Sequence, residues 1–450
     1  MPAEGAPARA AALEALGRLG RGRFLRDELD AVFGARDLSA RDRHLATQLA
    51  TGAVRHRRTL RAVLQHVRGE GGAVGSIQLP LREILEVGAF ELLFLDRVPA
   101  YAAVSEAAEA ARRTAGGRKG EKAAGFVNGR LRGVGRLVAG RESGGAAGRD
   151  ALPHPEGGVV RLRAAVLPEP EADAAAFLGA AYSYPDWLVR RWLEALGREK
   201  AEAVLVAGNR RPRTYARVSA GAAGMGLPAG PRPGSVDVSD VDSDELRAML
   251  AEGRLTVQDP SAMAAVAALA PQAGERVLDL CASPGTKTTQ IAEAMGDRGV
   301  VVACDRSEAK LAAVRAALAA RGLTSVKVSL SSEVGGAAPG EGFDAALVDV
   351  PCSNTGVLAR RVEVRWRLRP RDLAELARLQ GELLALASEH VRPGGRLVYS
   401  TCSLEAEENG DVVTAFAASR RGWEVRRQEQ ILPGADHDGA YWALLGREGP

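Results

Sequence analysis

Apolar residues recur at helical spacing through the first third of the chain, and the rhythm changes near residue 275. Between residue 8 and about residue 137, stretches such as Ala8–Leu19, Leu45–Arg57, Leu79–Phe94 and Ala102–Ala115 carry apolar side chains three and four positions apart. That spacing puts them on one face of a helix, so consecutive amphipathic helices are expected. Pro99 separates two of them, as a residue with no amide hydrogen commonly does. Residues 138–175 are rich in Gly, Ala, Pro and Glu with little periodicity and read as a linker. Ordered pattern returns at Tyr182, where Tyr182 to Trp192 starts a helix and Arg210 to Val218 follows as a basic extended run.

From about Glu275 the chain alternates short apolar runs with helical stretches. Arg276–Leu280, Val300–Cys304, Val326–Ser329, Phe343–Val350 and Leu397–Ser400 read as strands, and Lys287–Met295, Glu308–Ala320 and Leu373–Val391 as helices. Alternation at this rhythm predicts an α/β domain whose parallel sheet is covered on both faces. Ligands of such sheets bind beyond the carboxyl ends of the strands. The chain has four cysteines, Cys281, Cys304, Cys352 and Cys402, and each lies at the end of a predicted strand. Two of them share a setting, Pro351-Cys352-Ser353 and Thr401-Cys402-Ser403. Thiols used this sparingly, at strand ends, suggest chemistry rather than packing.

Composition narrows the class. With 450 residues, 46% of them hydrophobic and 26% charged, the chain is ordinary for a globular protein of several domains. No apolar stretch reaches the ~18 residues of a membrane span, and Met-Pro-Ala-Glu-Gly-Ala-Pro lacks the pattern of a secretory leader. Few cysteines without framework spacing fit a reducing cytoplasm. Residues 1–145 hold 24 Lys+Arg against 16 Asp+Glu, net +8, and the remainder 36 against 40, net −4. A basic domain beside a mildly acidic one suggests a polyanionic partner such as nucleic acid. The bland alternative is compositional, since arginine outnumbers lysine 54 to 6. The run Asn209-Arg210-Arg211-Pro212-Arg213 is a candidate RNA contact, as are Arg360 and Arg361.

The first strand–helix loop reads Asp279-Leu280-Cys281-Ala282-Ser283-Pro284-Gly285-Thr286-Lys287-Thr288. Small residues before a helix start let a ligand approach backbone N–H groups at the positive helix end. A phosphate loop is disfavoured, because its first glycine is missing. The second strand ends in Asp305, where an acidic residue typically holds ribose hydroxyls. Together these predict a nucleoside-containing cofactor.

These residues carry a resemblance. Cys281 to Lys287 is similar to the S-adenosyl-L-methionine loop of the RNA cytosine-5 methyltransferases of the Sun, or RsmB, family. Asp349-Val350-Pro351-Cys352-Ser353-Asn354-Thr355-Gly356 and Tyr399-Ser400-Thr401-Cys402-Ser403-Leu404 resemble its two cysteine motifs. Val257-Gln258-Asp259-Pro260-Ser261 and the tail Asp438 to Leu445 fit the same family. Leu92 to Val104 and Ala124 to Arg132 look like the NusB family of RNA-binding helical domains.

The resemblance implies a Rossmann-like class I methyltransferase domain with a mostly parallel seven-stranded sheet over residues 256–450. An all-helical NusB-like RNA-binding domain (1–137), the linker (138–175) and a small α+β RNA-binding subdomain (176–255) would precede it. It implies methyl transfer from S-adenosyl-L-methionine to carbon 5 of a cytidine, most simply in 16S ribosomal RNA. Cys402 would be the attacking thiol, Cys352 the agent of release, and Asp349 the group that binds the cytosine edge. Cys281, Ala282, Ser283, Pro284, Gly285, Thr286, Lys287, Asp305, Ser331 and Asp349 would hold the cofactor. Arg55, Arg57, Arg58 and Arg130 would meet RNA backbone. Against the family pattern, Thr286 and Asn354 replace glycines, and Ser331 aligns with an Asp that touches the adenosyl group. Thr286 would narrow the loop if that position needs a positive φ, whereas Asn tolerates left-handed geometry. A transfer-RNA methyltransferase and a non-catalytic RNA-binding assembly factor stay open as alternatives. A metal site is not expected, because the cysteines lack close pairs. A monomer is expected, with no membrane association.

Overall fold

The computed structural model describes residues 5–20, 22–68, 73–219, 224–337 and 342–449. The first four residues, on which part of the leader expectation rests, lie outside them. Contacts divide the chain into two compact units, one of Met1–Arg211 with Leu358–Arg367, the other of Pro212–Val357 with Leu368–Pro450.

The first unit opens with the expected amphipathic helices. Leu81–Phe94 buries Ile84, Leu85, Val87, Phe90 and Leu93, and Ala100–Ala115 and Gly117–Leu137 pack beside it. The stretch predicted as one helix over Leu45–Arg57 ends at Arg55, and a second helix runs Arg57–Arg68. The linker expectation is corrected. Residues 138–175 contain a three-stranded antiparallel sheet, Val138–Glu142, Val159–Leu162 and Ala151–Pro153, with Leu152, Val159, Val160 and Leu162 buried. Strands of three to five residues between glycine turns are too short for a period to show in the sequence. The proposed subdomain 176–255 is also divided. Its helices Ala174–Tyr182, Asp186–Leu196 and Arg198–Ala207 belong to the first unit, and its strands to the second.

The excursion Leu358–Arg367 is anchored in the first unit by a buried guanidinium. Arg365 donates to the carbonyls of Ser183 (3.2 Å), Gly208 (2.9 Å) and Leu358 (3.2 Å) and to Asn209 Oδ1 (2.7 Å), stacked on the Tyr184 ring. Arginine suits this place because its planar fork serves several acceptors at once. Burial pushes its pKa down.

In the second unit a small antiparallel sheet, Tyr215–Val218 flanked by Ser235–Asp237 and Leu255–Val257, precedes the main sheet. Helix α1 (Pro260–Leu269) then leads into β1 (Arg276–Asp279), α2 (Thr286–Ala294), β2 (Val300–Asp305), α3 (Glu308–Ala319), β3 (Val326–Leu330) and β4 (Phe343–Asp349). These are followed by α4 (Pro370–His390), β5 (Val391–Thr401), α5 (Gly410–Ser419), β6 (Trp423–Ile431) and β7 (Ala440–Arg447). The strand order is β6-β7-β5-β4-β1-β2-β3, and β7 alone runs against the rest. The expected mostly parallel seven-stranded α/β sheet is therefore present.

Its apolar strands follow from burial on both faces. Ala345, Leu347, Val277 and Val398 pack under α1 and α2, while Ala346, Val348, Leu278 and Tyr399 pack under α4 and α5. Strand order reverses between β1 and β4, which opens a crevice at their carboxyl ends. A buried Arg217 ties the small sheet to α2, donating to Gln258 Oε1 (3.0 Å) and Thr289 Oγ1 (2.9 Å) and pairing with Glu293.

Candidate active site

The crevice is walled by the loops that leave β1, β4 and β5. After β1, Gly285 takes φ 105° and caps α2, so the left-handed residue of this turn is the glycine. Thr286 is the first residue of α2 and is absent from the non-glycine residues with positive φ, so it does not narrow the loop through its backbone. A Cβ on Gly285 would sit 3.2 Å from Val314 Cα, so α3 passes close beneath it. Burial pushes the Cys281 and Cys304 thiols up, Cys304 to about 12. They stay protonated at neutral pH.

Lys287, in the first turn of α2, donates to Asp349 Oδ2 at the end of β4 (2.6 Å), and Ser400 Oγ donates to Asp349 Oδ1 (2.7 Å). Burial disfavours the ammonium, but the Asp349 carboxylate beside it outweighs that and holds the Lys287 pKa up; Cys402 adds to the same effect. Lys287 is therefore a fixed cation facing both Asp349 and Cys402.

The two cysteine motifs meet. Cys352 Sγ and Cys402 Sγ lie 3.1 Å apart, at the ends of the adjacent parallel strands β4 and β5. The hydrogen bond to Cys402, then burial, pushes the Cys352 thiol well up. Asn354 takes φ 62°, the left-handed conformation that asparagine tolerates. There its amide donates to Cys352 O (2.7 Å) and its Oδ1 faces Cys402 Sγ (3.4 Å). Gly356 lets three backbones converge. Its N–H donates to Cys402 O (2.9 Å), its own carbonyl accepts from Gly439 N (2.8 Å), and a Cβ would meet Gly439 O at 2.6 Å. The tail is tied in again through Asp259, whose carboxylate accepts from Ser261 N (2.9 Å) and Asp438 N (3.0 Å).

Asp305 ends β2 buried, and its carboxylate takes Arg306 N (2.7 Å), Ser283 N (3.3 Å) and the Lys310 ammonium (3.3 Å). Ser331 opens a 3-10 turn after β3. The acid at that strand end is Glu333, which accepts from Ser329 Oγ (2.9 Å) and Leu330 N (3.4 Å). It lies two positions from the aligned serine and was not among the expected residues. Asp279 is buried, accepts from Thr288 Oγ1 (2.7 Å), and leaves Oδ1 without a partner. Burial raises its pKa to about 7. Among the described residues no cluster could hold a metal ion, and no helix is long and apolar enough to cross a membrane.

Several arginines expected at RNA have partners within the protein. Arg55 donates to Ala359 O (2.8 Å), and burial lowers its pKa to about 10. Arg58 holds Tyr184 O (2.6 Å) and Ala176 O (3.2 Å), Arg57 lies 3.7 Å from Glu86, and Arg130 reaches Val67 O (3.2 Å). Arg361 stacks on Phe24, and Arg213 pairs with Asp237. Arg210 and Arg211 are exposed, as are Arg118, Lys119, Lys122, Arg132 and Arg136 on the helix Gly117–Leu137. The sequence shows net charge but not which guanidinium groups turn inward to serve carbonyls.

Residues 266–440 match the family described as 16S rRNA methyltransferase RsmB/F, and residues 6–136 match the NusB family. A ribosomal RNA small subunit methyltransferase B from Salmonella arizonae is 34% identical over 390 residues, 82% of each chain. The crystal structure of PH0851 covers 99% of this chain and 100% of that one, with a TM-score of 0.76 at 22% identity. NSun6 from Pyrococcus horikoshii, solved with SFG, covers 60% of this chain and 100% of that one, with a TM-score of 0.52 at 18% identity. At these identities the two structures speak for the fold. With its NusB-like front and its paired cysteine loops on a Rossmann-like sheet, the chain belongs to the RsmB family of ribosomal RNA small subunit methyltransferases.

Proposed function

We propose that this protein methylates carbon 5 of a cytidine in 16S ribosomal RNA, using S-adenosyl-L-methionine and a covalent bond between Cys402 and the base. The observation that carries the proposal is the thiol pair, 3.1 Å apart beside the Lys287–Asp349 ion pair.

The residues around the β1 loop suit the cofactor. Gly285 brings backbone to the mouth of the crevice, Asp305 presents a carboxylate at the end of β2, and Asp279 Oδ1 is a buried acceptor without a partner. SFG, bound in the NSun6 structure, is an analogue of S-adenosylmethionine. Bound there, S-adenosyl-L-methionine supplies a methyl group on an electrophilic sulfonium.

Carbon 5 of cytosine is too weak a nucleophile to accept a methyl group unaided. Addition of the Cys402 thiolate at carbon 6 moves the ring's electron pair toward carbon 5. Cys402 is assigned the attack because its Thr401-Cys402-Ser403 setting resembles the family's nucleophile motif, and Cys352 sits beside it at 3.1 Å. The Lys287 ammonium faces Cys402 as well as Asp349. Asp349, oriented by Lys287 and Ser400, can accept from the cytosine amino group and hold the ring against the sulfur. In the release half, the carbon-5 proton passes to a solvent base, its electron pair re-forms the carbon 5–carbon 6 double bond, and the Cys402 sulfur leaves carbon 6 as thiolate. Cys352 is the neighbour positioned to assist.

The exposed basic side chains of Gly117–Leu137, with Arg210 and Arg211, are the proposed RNA-backbone contacts. Bisulfite sequencing of ribosomal RNA from cells with and without the gene tests the reading. One cytidine in small-subunit RNA should lose its protection when the protein is absent, and an unchanged pattern would overturn it.

A further inference from the structure

The two sulfurs belong to loops, and a loop does not hold a 3.1 Å spacing by itself. A buried carboxylate joins the loops. Glu408 is 0% exposed, in the 3-10 turn Ala406–Glu408. Its Oε1 accepts from the backbone N–H of Ser353 (2.8 Å) and from Gln380 Nε2 (2.9 Å), and its Oε2 accepts from Ser403 Oγ (2.6 Å). Ser353 follows Cys352, and Ser403 follows Cys402, so one side chain grips the residue next to each thiol.

The grip extends to the other side of each cysteine. Gln380, on α4, also donates to Pro351 O (3.0 Å), so Pro351 and Ser353 are both held around Cys352. Asn409 accepts from Thr401 Oγ1 (2.6 Å) and donates to Ser403 O (2.9 Å), bracketing Cys402. Ser353 Oγ and Ser403 Oγ meet at 3.0 Å between the loops. Among the described residues every donor to the Glu408 carboxylate is uncharged, so the group serves as a shared acceptor rather than as half of an ion pair. Hydrogen bonds to a buried carboxylate are strong, and removing it leaves Ser353 N–H and one Gln380 N–H without their acceptor and frees Ser403 Oγ from the tie.

We infer that Glu408 is a positioning residue that sets the spacing of the Cys352 and Cys402 sulfurs, with Gln380 as its support on α4. The inference rests on the reading of those cysteines as the reacting pair, but the spacing can be measured without activity. Glutamine can replace the carboxylate in kind. Its oxygen would accept from Ser353 and Gln380, and its amide would donate to Ser403 Oγ, which can turn its hydrogen to Ser353 Oγ. Alanine can do none of this.

The test uses full-length protein and phenylarsine oxide, a trivalent arsenical that loses water as it bridges two adjacent thiols. Glu408→Ala should bind it at least 10-fold more weakly than wild type, with the same number of thiols titratable by a monofunctional reagent. Glu408→Gln should restore binding to within a few-fold. In methyl transfer, Glu408→Ala should lower kcat by about 100-fold, as expected for a displacement near 1 Å, with KM for RNA and for S-adenosyl-L-methionine within about twofold. If Glu408→Ala does not fold, Ser403→Ala, which removes one donor and leaves the carboxylate, should weaken arsenical capture in a stable protein. Wild-type capture by a folded Glu408→Ala or by Ser403→Ala would overturn the positioning role. Lost capture with undiminished kcat would uphold that role and overturn the thiol-pair mechanism instead.

Discussion

Replacing Gly356 by alanine tests how tightly the two cysteine loops are joined. A Cβ there would lie 2.6 Å from Gly439 O, 2.8 Å from Cys402 O and 2.8 Å from Gly439 C, all backbone atoms. To reach the 3.4 Å of ordinary contact, those atoms must retreat by about 0.6–0.8 Å. One of them is the carbonyl of Cys402 itself, so its thiol moves too. Overpacking of this kind costs roughly 1–3 kcal/mol. The bonds from Gly356 N to Cys402 O and from Gly439 N to Gly356 O are weakened at about 1 kcal/mol each. The total, about 3–5 kcal/mol, should lower Tm by roughly 6–20 °C for a unit of this size. A shift approaching 1 Å at the nucleophile should also cut kcat by about 100-fold.

Thermal melting and transfer of tritiated methyl groups to ribosomal RNA measure the two effects. Gly129→Ala, where a Cβ meets nothing within 4 Å on a helix, is the control and should gain about 0.5–1 kcal/mol. A Gly356→Ala protein that melts within a degree of wild type at full kcat would refute the argument.

Asp279→Asn should expose a pH-dependent cost. Burial raises the Asp279 pKa to about 7. Both folded and unfolded chains are therefore protonated below ~3.8, and between there and 7 only the unfolded chain ionises. Wild type loses stability from this group across that window, by at most about 4 kcal/mol. The Tm advantage of Asn should grow from pH 4 to 7 and level off above; a flat difference would contradict the burial of this carboxyl. Lys287→Arg should lower kcat at least 10-fold despite keeping the charge, because the site fits a compact ammonium between Asp349 and Cys402; wild-type turnover would remove Lys287 from the site. Arg132→Glu with Arg136→Glu should weaken RNA binding and flatten its salt dependence by about two units of slope. An unchanged slope would move the RNA interface off that helix.

Sequence and structure agree where one residue type answers one physical demand. The strand rhythm after Glu275, the cysteines at the ends of four of the parallel strands, and Asn354 in a left-handed conformation could all be read from residue chemistry. Residues that act through burial could not. Glu408 stands in the run Glu405-Ala406-Glu407-Glu408, which reads as a solvated acidic turn until packing closes over it. The NusB resemblance implies RNA contacts at Arg55 and Arg58, yet each serves backbone carbonyls. The sheet in 138–175 leaves no period in the sequence because its strands are short and its buried residues few.

The central claim is that Cys402 attacks the base and Cys352 serves release. Denaturing electrophoresis of the Cys352→Ala and Cys402→Ala proteins, each incubated with small-subunit ribosomal RNA and S-adenosyl-L-methionine, tests it most directly. Cys352→Ala should accumulate a covalent protein–RNA species, and Cys402→Ala should form none. A covalent species with Cys402→Ala that is absent with Cys352→Ala would contradict the assignment.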